Sequence, residues 1–164
     1  MPKIITESEV EDIALELLDG LGYEIVHGPD IACDGAAPER SSYQDVVLVQ
    51  RLRTAIDKLN PRIPASAREE ALKKVLRSGS QSLVANNHQF HKMLVERIGV
   101  EYRKEGRIVY DTVWLADFDN AKNNEFLAVN QFTIVENGIN RRPDILIFVN
   151  GLPVGVIELK NPAD

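Results

Sequence analysis

Apolar side chains recur through the first hundred residues at the 3.6-residue spacing of an amphipathic helix. Val10, Ile13, Ala14, Leu17, Leu18 and Leu21 form one such stripe, which Gly20 and Gly22 close. Thr6 with Glu9 has the spacing of a capping box at its start, and Ser8 with Glu11 repeats that spacing two residues on. Leu48, Leu52, Ile56 and Leu59 mark a second helix, stopped by Asn60-Pro61 because a residue before proline is pushed out of the helical region. Ser66 and Glu69 open a third, with Leu72, Val75 and Leu76 inward and Gly79 at its end. A fourth, centred on Phe90, Met93 and Leu94, closes at Gly99. Residues 27–42, with Gly28-Pro29, Gly35 and Pro38, predict a long surface loop.

After Gly99 the period shortens. Val100–Arg103, Arg107–Leu115, Phe126–Val135, Asp144–Val149 and Pro153–Lys160 are rich in β-branched and aromatic residues and predict strands. Turn dipeptides separate them: Glu105-Gly106, Asp119-Asn120, Asn137-Gly138 and Asn150-Gly151. The run Ile145–Val149 is continuous rather than alternating, so its strand should be covered on both faces. A helical N-terminal half followed by strands predicts an α/β domain, a sheet with helices packed on it.

Composition adds bounds. The chain has 164 residues, 44% of them hydrophobic, which suits one domain with its own core. The segment Met1 to Glu11 holds no apolar run like that of a signal peptide, and no apolar run is long enough to span a bilayer. The single cysteine, Cys33, excludes an intrachain disulfide and fits a reducing compartment, with the cytoplasm as the expectation. Net charge is −6, which argues against a nucleic-acid partner until its distribution is examined. Residues 1–45 contain eleven acids and two bases, whereas residues 51–77 contain eight bases against three acids. That basic stretch reads either as a solvated helix face or as a surface for phosphates, which would be contacted without reading sequence. His88 and His91 are three apart on one helix, but no further thiol or imidazole completes a zinc set. Trp114 and Tyr110 share strand parity and read as core or sheet-face residues.

The chemistry concentrates near the end. Glu158 and Lys160 are two apart, so on a strand they point to the same face, and Asp144 follows Pro143 at the start of the preceding strand. An isolated Glu-x-Lys reads as an ion pair at a solvated sheet edge. Two carboxylates on adjacent strands, however, form an all-oxygen site for a hard divalent cation such as Mg²⁺. A neighbouring lysine can orient a water or stabilise charge on an attacked phosphate, which completes the set for phosphodiester hydrolysis.

Pro143-Asp144 followed by Glu158-x-Lys160 resembles the PD-(D/E)xK nuclease superfamily. The string from Arg141-Arg142-Pro143-Asp144 through Asn150-Gly151 to Glu158-Leu159-Lys160-Asn161-Pro162 is similar to the nuclease domain of the R (endonuclease and motor) subunits of type I restriction enzymes. The helix ending Leu21-Gly22-Tyr23, the 52–61 segment, Asp117-Phe118-Asp119-Asn120 and Asn130-Gln131-Phe132 agree with it. The resemblance thus covers essentially the whole chain. It implies a restriction-endonuclease-like mixed β-sheet flanked by helices, treated as a single nuclease domain over residues 1–164. Asp144 and Glu158 would bind Mg²⁺, Lys160 would serve the attacking water, and Glu11 on the first helix is the candidate acid that completes the site. Arg141 and Arg142 would touch the DNA backbone or sit on a solvated turn, and Gln131 would lie nearby as a site residue or a plain sheet residue. The implied partners are double-stranded DNA and the methyltransferase and specificity subunits. A closing helix with a Gln-x-x-x-Tyr motif and ATP-driven motor domains would follow. Neither lies within residues 1–164, which hold no G-x-x-x-x-G-K-[ST], so these residues alone are expected to cut little DNA. A non-catalytic docking module on the same fold is the alternative, which an intact Asp144, Glu158 and Lys160 set disfavours.

One geometric condition follows. Asn150-Gly151 predicts a two-residue hairpin turn, in which paired residue numbers sum to 301. Asp144 would then face Ile157, with Glu158 and Lys160 on the other side of the sheet. The catalytic reading requires an even sum, from a three-residue loop Val149-Asn150-Gly151 or from a bulge near Pro153 or Gly155.

Overall fold

Thr6 begins the first helix as its spacing from Glu9 requires. Its hydroxyl accepts from the Glu9 N–H at 3.3 Å, and its own N–H donates to Glu9 Oε2 at 2.9 Å, so helix α1 runs Glu7–Gly20. The computed structural model describes residues 6–77 and 82–160; Gly79, Asn161 and Pro162 lie outside that range. Use of the Thr6 cap rather than Ser8 leaves the Glu11 side chain free for other partners. No residue of α1 is fully buried, and Ile13, Leu17 and Leu21 of the expected inward stripe are exposed.

Two compact units divide the chain: residues 1–49 with 125–164, and residues 50–124. The first unit holds a four-stranded sheet of order β1-β4-β7-β8, made from β1 Glu24–His27, β4 Phe126–Asn130, β7 Ile145–Val149 and β8 Leu152–Ile157. β1 runs parallel to β4 and the other pairs are antiparallel, so the sheet is mixed. The fold is α/β, as expected, but β1 falls in a stretch too short and too close to a helix end for its period to register. β7, central and apolar, pairs on both edges, and Ile145, Leu146 and Phe148 are buried. The predicted strand 126–135 is broken after Asn130 by Gln131 at φ 55 and resumes as β5 Ile134–Glu136, which pairs with β6 Ile139–Arg141.

Residues 28–42 are irregular, as the loop reading of 27–42 expects, but they are not all at the surface: Ile31, Ala32 and Arg40 are buried. Ile31 and Leu48 join Leu127, Val129, Phe132, Leu146 and Phe148 in one buried cluster, with Val26 and Val46 packed against it. The segment is irregular yet tightly folded on itself: a Cβ at Gly35 would meet the Pro29 and Asp30 carbonyl oxygens at 2.2 and 2.4 Å. Arg40 is buried, its guanidinium 3.9 Å from the Phe132 ring centre, and burial lowers its pKa from the ordinary value. Loops of this length usually carry exposed backbone, but here apolar anchors make the segment one cover of the sheet.

In the second unit, α2 Val49–Leu59 buries Leu52, Ala55 and Ile56. α3 Ala65–Leu76 buries Leu72 as expected, together with Ala67 and Ala71, while Val75 is half-buried and Leu76 exposed; its cap is Pro64 rather than Ser66. α4 Leu83–Glu96 starts at Ser82 and ends at Arg97, whose φ of 71 breaks the helix two residues before the expected Gly99. Gly99 instead lies in β2 Ile98–Lys104, which pairs with β3 Arg107–Val113 as a two-stranded ribbon. Asn60, the expected helix stop, is a buried bracket: its side chain donates to the Ile56 and Trp114 carbonyls and accepts from the Trp114 N–H. Trp114 is covered on one face by the Arg97 guanidinium at 3.6 Å.

The Asp117-Phe118-Asp119-Asn120 segment is an Asp-centred turn. The Asp117 carboxylate accepts from the Asn123 side chain and from the N–H groups of Asn120 and Asp119, which hold its pKa below the ordinary carboxylate value. A folded-state pKa below the unfolded one means the contribution is complete above the ordinary pKa and disappears as pH falls through the lowered one. The amides of Asp119 and Asn120 should therefore lose protection in hydrogen exchange only below the ordinary carboxylate range, and Asp117→Asn should abolish that acid transition. Among the described residues no helix is long and apolar enough to cross a membrane.

Candidate active site

The site is built where β7 and β8 leave their hairpin. Asn150 and Gly151 form a two-residue turn, with φ values of 53 and 77 that suit a mirror-image hairpin turn. Val149 pairs with Leu152 and Phe148 with Pro153, a sum of 301. The ladder then shifts: Ile147 pairs with Gly155, Leu146 with Val156 and Ile145 with Ile157, a sum of 302. Val154 is the extra residue of a bulge, placed next to a proline that has no N–H for the ladder. Of the two routes to an even sum, the bulge is the one used. Continuing the register by one step sets Glu158 opposite Asp144.

The ladder ends at Ile157, short of the expected Lys160, and its next partner explains why. In this register Leu159 lies opposite Pro143, which offers no N–H. The Leu159 N–H donates instead to Asp144 Oδ2 at 2.6 Å, so the aspartate side chain takes the place of a backbone acceptor. Burial alternates beyond the bulge: Val154, Val156, Glu158 and Lys160 are exposed, whereas Gly155, Ile157 and Leu159 are half-buried. Glu158 and Lys160 thus share a face. Among the described residues neither forms an ion pair, so the simple edge salt bridge is not what holds them.

Glu11 reaches the same unit from α1. Its Oε1 accepts from Asn130 Nδ2 at 2.9 Å, and both its oxygens lie 3.3 Å from Gln131 Nε2. The Gln131 N–H donates to the Asp144 carbonyl at 3.3 Å, so Gln131 links the helix carboxylate to the Asp144 backbone. His27 Nδ1 lies 3.1 Å from Asn130 Oδ1. Asn130 entered the sequence reading only within Asn130-Gln131-Phe132, and His27 carried no role there; the parallel pairing of β1 with β4 sets the two opposite one another. Arg141 and Arg142 are exposed, Arg141 at the end of β6.

Asp144, just before β7, and Glu158, just after β8, are the two carboxylates that the continued register would set opposite one another. Among the described residues no three carboxylate, imidazole or thiol groups converge, and Glu11 is engaged by two amides rather than gathered with the other acids. Two carboxylates with water and substrate oxygens are the usual protein share of a Mg²⁺ site.

Gly28 permits the approach of these parts. It is buried, its N–H donates to the Asn130 carbonyl at 2.8 Å, and a Cβ there would lie 2.7 Å from the carbonyl oxygens of both Asn130 and Gln131. Both are backbone atoms, which cannot swing aside. Gly28→Ala should cost about 1–3 kcal/mol in denaturant unfolding and displace the Gln131 side chain from Glu11. An unchanged midpoint would show that the turn at Asn130–Gln131 yields freely.

Comparison with known proteins gives concordant results. Residues 4–164 match the family model described as type I restriction enzyme R protein N terminus. The chain is 40% identical over 160 residues to the type I restriction enzyme HindI endonuclease subunit of Haemophilus influenzae, covering 97% of this chain and 15% of that protein. It is 33% identical over 163 residues to a protein of Methanocaldococcus jannaschii named for the MjaIXP endonuclease subunit of a type I restriction enzyme, covering 98% of this chain and 16% of that one. The chain therefore spans about a sixth of the length of these relatives. With the matched family model and both relatives in agreement over nearly all of its length, the chain belongs to the N-terminal family of type I restriction enzyme R proteins.

Proposed function

We propose that the chain is the DNA-cleaving domain of a type I restriction enzyme R subunit, a metal-dependent endonuclease acting on double-stranded DNA with Asp144, Glu158 and Lys160 as its catalytic residues. The observation that carries this reading is the bulged register of β7 and β8. Continued one step past Ile145 and Ile157, that register would set Glu158 opposite Asp144, with Lys160 on the face of Glu158, which supports the reading.

Hydrolysis forms a bond from a water oxygen to phosphorus and breaks the bond from phosphorus to a sugar oxygen, which leaves with a proton. Asp144 and Glu158 would hold Mg²⁺, which when bound makes its water more acidic and offsets charge on the phosphate. Leu159 fixes Asp144 through Oδ2 and leaves Oδ1 for the cation. Lys160, an exposed ammonium two residues beyond Glu158, orients the attacking water and neutralises charge developing on the phosphate oxygens. Glu11 acts at one remove: through Gln131 it positions the backbone of Asp144.

ATP dependence would come from motor domains elsewhere in the R subunit, and sequence recognition from the specificity subunit. Cleavage of circular duplex DNA by the assembled restriction complex, with Mg²⁺ titrated from zero, tests the reading. Cleavage that persists in excess chelator while DNA binding is intact would remove the metal-dependent mechanism.

A further inference from the structure

The two units differ sharply in charge. The unit that carries Asp144 and Glu158 holds 5 basic and 16 acidic residues, whereas residues 50–124 hold 14 basic and 9 acidic. A polyanion is repelled by the first and attracted by the second. The basic stretch 51–77, however, pairs its charges internally. Arg53 binds Glu69, Arg68 binds Asp57 at 2.8 Å, and Lys74 binds Glu70 at 2.8 Å, which engages all three of its acids. Lys58 donates to the Asn123 carbonyl. These pairs engage the three acids of the stretch and leave its Arg62, Lys73 and Arg77 without an ion pair among the described residues.

Further cations without an ion pair among the described residues, Arg103, Lys104 and Arg107, cluster at the tip of the β2–β3 ribbon, with Glu105 between them and Glu101 and Asp111 nearer its base. Only its base is buried, at Ile98, Val100 and Val113. From Glu101 to Tyr110 no residue is buried, and Ile108 and Tyr110 are 53% and 76% exposed. A two-stranded ribbon without a covered face is marginal by itself. Its tip turns at Glu105-Gly106, with φ values of 51 and 78. Lys104 stands directly opposite Arg107, a like-charge cross-strand pair that destabilises the hairpin, and Arg103 stands opposite Ile108 on the other face. Among the described residues none of these three cations is in an ion pair or side-chain hydrogen bond. The tip therefore presents positive charge on both faces of a narrow ribbon.

We infer that the β2–β3 ribbon is a DNA-contacting arm, whose Arg103, Lys104 and Arg107 engage the phosphate backbone of duplex DNA without reading its sequence. A two-stranded ribbon has the width that the major groove admits, and cations on both of its faces meet the phosphates that flank a groove. The inference rests on the DNA-cleaving reading for its substrate, but binding and cleavage can be measured apart.

The test is the affinity of the protein for a duplex of arbitrary sequence, followed by fluorescence anisotropy in EDTA across a salt series. Converting Arg103, Lys104 and Arg107 together to glutamine should lower the slope of log affinity against log salt by roughly 2 to 3 and weaken binding at least about tenfold at low salt. Glu105→Asn, which suits a left-handed position and removes the one acid at the tip, should tighten binding and steepen the slope, a gain that misfolding cannot imitate. Unchanged affinity and slope in the triple variant would overturn the assignment. The same holds if that variant binds DNA normally but no longer joins its partner subunits, which would make the ribbon a protein contact. If the wild-type complex proves unable to cut DNA while the triple variant still loses its salt slope, the arm stands and the nuclease reading falls.

Discussion

Asp144→Asn is expected to reduce DNA cleavage by the assembled restriction complex by roughly 10²- to 10³-fold or more, the scale lost when one preorganised electrostatic group is removed. The substitution is chosen because it keeps the shape of the side chain and an oxygen for the Leu159 N–H, which Asp144 now accepts at 2.6 Å. What changes is charge. Stability should therefore shift little, and loss of cleavage reports on the metal-binding role and not on folding. Glu158→Gln and Lys160→Met follow the same logic, since both side chains are exposed and make no ion pair among the described residues. ATP hydrolysis by the complex should continue in all three, because none of these residues belongs to a nucleotide-binding motif. Wild-type cleavage by Asp144→Asn would end the assignment of this site, whatever the other two variants do.

Inserting one alanine between Val156 and Ile157 should abolish cleavage, and deleting Val154 should largely preserve it. The reason is register. Val154 is the extra residue of the bulge, so its removal straightens the ladder while Ile147 still meets Gly155 and the continued register still sets Asp144 against Glu158. The insertion adds a residue past the last point of irregularity. Side-chain direction has period two, so Glu158 and Lys160 turn to the other face of the sheet, away from Asp144. Both changes fall on the solvent-exposed side of an edge strand, where Val154 and Val156 are 43% and 60% exposed, so neither should unfold the core. Single-turnover cleavage and a denaturation midpoint, measured on both variants, decide the matter. Equal activity in the two would show that this register does not govern the chemistry.

Local chemistry explains why much of this was legible from the chain alone. The Thr6–Glu9 capping box, the stop at Asn60-Pro61, the continuous apolar run of β7 and the turns at Glu105-Gly106, Asn137-Gly138 and Asn150-Gly151 all depend on residues within a few positions of one another. The turn dipeptides in particular need a residue pair that accepts positive φ twice, and all three take it. The spacing of Glu158 and Lys160 and the position of Asp144 after a proline were likewise visible, and so was the family to which they point.

What the chain could not declare by itself depends on partners far away in sequence. Gln131 becomes a link only because α1 delivers Glu11 to it from 120 residues away, and Asn130 meets His27 only because β1 adds in parallel to β4. The stretch 27–42 looked like open loop because its polar and turn residues outnumber its apolar ones, yet Ile31 reaches a core made from β4 and β7. Arg103 and Arg107 entered the sequence reading only as the ends of two strands, and cross-strand pairing sets Lys104 and Arg107 face to face. Above all, the sequence shows that two carboxylates and a lysine are present, but their sides of the sheet depend on tertiary pairing. Pairing across a hairpin is a discrete choice between even and odd sums, and the bulge at Val154, a small departure beside a proline with no N–H to donate, makes the sum even from Ile147 to Ile145.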